Sequence, residues 1–265
     1  MTNSTVGSEP TSADIVRQGA VIAALTATLA TNTLAQLLPL NGQSTGEISG
    51  RFPLLITPPA YVFGIWGVIY SGLLGYTVYQ ALPAQRTNPR LRRIAWPFVL
   101  TCAANCVWLL LWHYNQYRLT LGAMVGLLLG LLTIDRRLGR ADSQSTLDLL
   151  FARLPFSIYL GWISVATIVN ATVVLYDAGW DGMGISPELW TTALIGVGTG
   201  LGATMGVKEG DAAYPLALAW AFAGVAKKNA ATPLVGRAAW IATAVGLLSA
   251  GAALLRRRPK PELAA

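Results

Sequence analysis

Apolar residues run along this chain in long blocks, with no alternating stretch that would read as a half-buried strand. Eight blocks approach the length that crosses hydrocarbon as a helix, about 20 residues. They lie at 16–38, 59–82, 94–112, 119–134, 154–176, 189–207, 212–226 and 238–255. The pattern predicts an all-α polytopic membrane protein with eight spans. Seven is the alternative, because the block at 212–226 is short and holds Pro215. The first block is too long for a signal-peptide core and reads as a retained helix. Residues 1–15 read as a disordered polar tail.

Composition agrees with the pattern. Charged residues are 12% of the chain, apolar residues 54%, and mean hydropathy is +0.51. These values exclude a disordered chain, a disulfide scaffold and an ordinary soluble domain. Cys102 and Cys106 are four residues apart inside one apolar block and read as small packing residues. The net charge of +7 does not signal nucleic acid, because the basic residues sit in short clusters between spans. With the N-terminus inside, 14 of the 19 Lys and Arg fall on the inner side. Both termini are therefore expected in the cytoplasm, and membrane lipids are the expected surroundings. The basic tail at 257–265 reads as an anchor against anionic lipid.

Missing residues narrow the function. The span cores lack Asp, Glu, Lys and Arg, which disfavours an ion-coupled pump. Neither a nucleophile triad nor a phosphate-binding loop is present. The single histidine, His113, stands beside Trp112, Tyr114 and Tyr117. It reads as part of an interfacial aromatic belt, with haem ligation as the alternative. No metal site is expected and no cofactor is obligatory.

The polar groups left inside the spans are amides, hydroxyls and indoles, and their spacing places them on shared helix faces. Trp66 and Tyr70 are four apart, Asn105 and Trp108 three apart, and Tyr159, Trp162, Ala166 and Asn170 form one stripe. In the orientation above, Trp66, Asn105, Trp108 and Asn170 lie roughly 6–11 Å below the outer surface. An amide in hydrocarbon needs a partner. Asn105 and Asn170 therefore read as interhelical glue and, compatibly with that, as handles in an aromatic-walled pocket for a flat apolar ligand. The preceding polar connection, 39–57, ends in Pro58-Pro59, which fix the entry of the second helix. Such a loop could act as a lid.

The segment TPPAYVFGIWGVIY, with Pro58, Pro59, Tyr61, Phe63, Trp66 and Tyr70, resembles the second-helix signature of the tryptophan-rich sensory protein (TspO), or translocator protein, family. Asn105 and Trp108 resemble its third-helix signature. Tyr159, Leu160, Trp162, Ala166, Val169 and Asn170 resemble its fifth. The chain departs from the family pattern at Tyr61, usually Trp, and at Ile158, usually Pro. The resemblance covers about residues 16–176 and implies a five-helix bundle, followed by further spans at 177–256. It implies a pocket between helices 2, 3 and 5, under the first loop, for tetrapyrrole-like or sterol-like molecules. Trp66, Tyr70, Asn105, Trp108, Tyr159, Trp162 and Asn170 would be its wall, with Tyr61 and Phe63 at the mouth. It also implies a bacterial plasma membrane and leaves room for a bound haem or porphyrin.

Three functions remain open: a binding and sensory protein, a small-molecule transporter without ion coupling, and a porphyrin-modifying enzyme. In the sixth block, Gly196-x-x-x-Gly200 and Gly202-x-x-x-Gly206 are small-residue pairs. They would serve close packing within the chain or a homodimer seam.

Overall fold

The computed structural model describes residues 11–38, 40–139 and 145–256. Residues 1–10, Arg140 and the 257–265 tail lie outside the described residues. Among the described residues there are helices and turns and no strand, and each of the eight apolar blocks forms a helix. These are α1 Ser12–Leu37, α2 Ile65–Ala81, α3 Pro89–His113, α4 Tyr117–Leu138, α5 Leu154–Asp177, α6 Pro187–Ala203, α7 Ala213–Lys228 and α8 Pro233–Arg256. A 3-10 turn, Ala60–Gly64, leads into α2. Two π turns, Leu149–Arg153 and Thr204–Lys208, adjoin α5 and α6.

Six helical stretches are long and apolar enough to cross a membrane, against the eight spans expected. The two not among the six are α6, 17 residues before its π turn, and α7, 16 residues. Large apolar side chains point outward around the helices, among them Leu100 at 68% exposure and Leu248 at 73%. A surface of that kind is stable only against lipid or protein.

The chain packs as two compact units. One comprises Met1–Ile48 and Gly67–Phe156, the other Ser49–Trp66 and Ser157–Ala265. The first five helices thus contribute to both.

In the first unit α3 packs along α1 and α4. Helix α1 begins at Ser12, so residues 12–15, expected in the polar tail, form its first turn. Asp14 accepts a bond from the Thr11 backbone N–H at 3.0 Å and closes that turn. The same carboxylate takes two bonds from Arg92 of α3, Nε–Oδ1 at 2.7 Å and Nη2–Oδ2 at 2.5 Å. One fork-shaped ion pair therefore fixes both a helix start and a helix pair. Asn88 caps α3 by accepting from Arg90 N–H at 2.9 Å, with Pro89 at the first helical position. Tyr76, Phe98 and Phe156 meet edge-to-face, with centroids 4.9–5.7 Å apart, and make the buried centre of this unit. Arg153 and Asp135 form a buried ion pair at 2.8 Å. Arg153 also donates to the backbone carbonyl of Gly139 at 3.4 Å.

In the second unit α8 packs along α6 and α7. Buried Asp211 accepts from Ser157 Oγ at 2.5 Å and from the backbone N–H groups of Ala213 and Tyr214. It caps α7, whose Tyr214 hydroxyl donates to Ser164 Oγ at 2.8 Å. The small-residue pairs separate by role. A Cβ on Gly206 would lie 2.7 Å from Ser249, and one on Gly202 would lie 3.3 Å from Leu218. That pair closes packing within the chain, whereas Gly196 and Gly200 face open space.

Replacing Arg153 by Met removes the ion-pair partner of the buried Asp135 carboxylate. It is expected to lower stability by about 3–5 kcal/mol, with most of the loss recovered in the Asp135→Leu/Arg153→Met pair. Unfolding of both variants in detergent, followed by circular dichroism, checks this.

Candidate functional site

The entry to α2 is built by its prolines. Pro59 holds φ −66° and ψ 159°, an extended residue that starts the 3-10 turn at Ala60. The turn tightens into α2 at Ile65 and presents Phe63 and Trp66 to α5. Trp162 meets Phe63 with ring centroids 5.7 Å apart and meets Trp66 at 6.2 Å, and Tyr159 meets Trp66 at 5.8 Å. All three contacts are edge-to-face, the geometry the ring quadrupoles favour. Tyr159 and Trp162 are each 2% exposed. The indole Nε1 of Trp162 is buried and has no hydrogen-bond partner among the described residues.

The other expected residues fall elsewhere. Tyr61 is 49% exposed and packs edge-to-face on Trp220 of α7 at 5.9 Å, with the Lys227 ammonium 5.4 Å from its ring centre. Asn170 is buried and lies eight residues, about 12 Å, along α5 from Trp162. In the first unit Tyr70 lies beside Asn105. Asn105 accepts from Asn32 of α1 at 2.9 Å. Asn105 thus acts as glue between helices, and Asn32 is the partner that sequence spacing did not identify. Trp108 stacks on Trp112 at 5.7 Å, with its own Nε1 buried and without a partner among the described residues.

His113 is neither a surface belt residue nor free to bind iron. It is fully buried, with Nε2 2.9 Å from Thr45 Oγ1 and Nδ1 3.4 Å from the Leu40 carbonyl. Its own carbonyl accepts from the side chains of Asn41 and Gln43. This end of α3 therefore moors residues 40–45, which include a 3-10 turn and the start of the short helix Thr45–Gly50.

The later part of the same connection is moored by α7. Lys228 Nζ donates to the carbonyls of Leu54 and Thr57, both at 3.0 Å, and Asn229 Nδ2 donates to that of Leu55 at 2.9 Å. Trp220 Nε1 donates to the Val62 carbonyl at 2.9 Å. Gly224 allows the approach, since a Cβ there would lie 2.3 Å from Val62 Cγ2. Partial burial lowers the pKa of the Lys228 ammonium from the usual lysine value. These moorings were not foreseen from the sequence. The available signal was the placement of Lys227 and Lys228 on the otherwise base-poor side.

Among the described residues no three His, Cys, Asp or Glu side chains gather to hold a metal ion. The apolar exterior and the long helices define an integral membrane protein with aromatic clusters in its interior. The chain belongs to the TSPO-like protein family, whose profile matches residues 18–252. That match runs through the C-terminal helices, well past residue 176, where the motif resemblance ends. Comparison with curated proteins and with solved structures found no match.

Lys228→Met combined with Asn229→Ala removes three bonds to the loop carbonyls. Backbone amides of residues 52–57 are expected to exchange with solvent roughly five- to ten-fold faster, from local loosening of about 1 kcal/mol. Hydrogen–deuterium exchange mass spectrometry reads this directly.

Proposed function

We propose that this TSPO-like membrane protein is a binding and sensory protein for a flat apolar ligand with a polar edge, of the tetrapyrrole or sterol class. The supporting observation is the cluster of Phe63, Trp66, Tyr159 and Trp162 with the unmet indole donor of Trp162 at its centre. Edge-to-face rings offer an apolar wall, and a buried donor without an acceptor costs about 1–3 kcal/mol. A ligand carboxylate or carbonyl that accepts from Trp162 recovers that cost. The Trp108 donor in the first unit has the same chemistry.

A tetrapyrrole suits these residues as a π-ligand. His113 does not suit such a ligand as an axial group to iron, because both its ring nitrogens are engaged by Thr45 and Leu40. The 14-to-5 division of Lys and Arg supports cytoplasmic termini. In that orientation the cluster lies toward the outer leaflet.

Protoporphyrin IX added to the purified protein is expected to quench tryptophan emission saturably. Trp162→Phe keeps an aromatic face, a phenyl in place of the larger indole, and removes the donor, and is expected to raise Kd roughly five- to ten-fold. Trp240→Phe, at an exposed position on α8, should leave it unchanged. Absence of saturable binding by protoporphyrin IX and by cholesterol would refute the reading.

A further inference from the structure

Two open grooves lie on the outward side of α2, both within the first unit. The first has a volume of about 410 Å³ and runs between α1 and α2, lined by Ile22, Leu25, Thr26 and Leu29 opposite Leu74, Thr77, Val78 and Leu82. The second, of about 460 Å³, runs along the other side of α2 and reaches Leu147 and Phe151. They share one ridge, Leu74, Val78 and Leu82, spaced four residues apart and each about half exposed.

Their length and chemistry match a lipid leaflet. From Leu74 to Ala81 the first groove follows α2 for about 10 Å, and Leu82 and Pro83 carry it past the helix end, within the roughly 15 Å of one leaflet's hydrocarbon. At its polar end α1 and α2 are stitched together, where Gln18 Nε2 donates to the Gln80 carbonyl at 2.6 Å. Arg86 lies over that stitch, its Nε 3.4 Å from Gln18 Oε1 and its carbonyl held by Arg17 at 2.8 Å. The terminal nitrogens of Arg86 have no partner among the described residues. Thr77, 6% exposed, lines the groove about four residues, roughly 6 Å, inside the end of α2. Its hydroxyl also has no partner among the described residues. A basic side chain three residues beyond the Pro83 end of the groove and apolar walls along it follow the order of phosphate and acyl chain.

We propose that one anionic diacyl phospholipid straddles this ridge, with a chain in each groove and its phosphate on Arg86. The bound lipid covers the face of α2 on which both grooves open.

Native mass spectrometry of the detergent-purified chain, titrated with dioleoyl phosphatidylglycerol or dioleoyl phosphatidylcholine, tests this. One phosphatidylglycerol is expected to be retained with a several-fold preference. Arg86→Ala should reduce that affinity roughly five-fold and abolish the preference. Thr26→Trp and Ser71→Trp, both at exposed positions, plug one groove each. Each should weaken the diacyl lipid while sparing lysophosphatidylglycerol, which needs a single groove. Equal retention of the two headgroups overturns the proposal. So does indifference to both plugs, or a dimer seated on the ridge that phosphatidylglycerol does not displace.

Discussion

Inside a bilayer a polar group has no water to turn to, and every donor or acceptor carried into the hydrocarbon must find its partner in the protein. Helices satisfy the backbone, and the side chains then have to satisfy one another. That constraint selects Asn32 for Asn105, Ser157 for Asp211 and Ser164 for Tyr214. It also gives meaning to the groups it leaves unmet. Among them are the buried indole N–H groups of Trp108 and Trp162, and each lies on an aromatic cluster.

Charge obeys the same constraint by moving to the helix ends, where it is reused as structure. Asp14 closes the first turn of α1 and grips Arg92, while Arg153 pairs with Asp135 and holds the Gly139 carbonyl. Lys228 fastens a loop instead of facing open water. A scarce set of ionic groups thus specifies where helices begin and which segments they bind.

Much of the fold was legible in the sequence, because block length and hydropathy report the transfer of a helix into lipid directly. All eight blocks became helices, and the weakness of the block at 212–226 reappears as a 16-residue α7. Helix faces were legible where the residues lay on one short stretch of chain, as with Tyr159 and Trp162, which share a face of α5 and both meet Trp66. The moorings of the 39–57 connection were not, because they end on backbone carbonyls, which carry no residue identity. His113 was misread for a related reason. Its neighbours Trp112 and Tyr114 suggest an interface, whereas the groups that bury it come from residues 40–45, some 70 positions away. Tyr61, expected at a pocket mouth, is drawn instead to Trp220 and Lys227 on a helix that the motif resemblance did not reach.

The π turn at Thr204–Lys208 has a consequence for how this helix tolerates change. A π turn holds about one residue more than an α turn, so it absorbs a single-residue insertion as a local bulge and leaves the flanking helix intact. The surplus residue shifts the angular phase of everything beyond it by about 100° relative to an uninterrupted α-helix. Gly202 and Gly206 straddle that phase change, yet Gly202 meets Leu218 of α7 and Gly206 meets Ser249 of α8. One helix end thereby addresses two neighbours that a regular repeat of small residues would have aimed at along a single line.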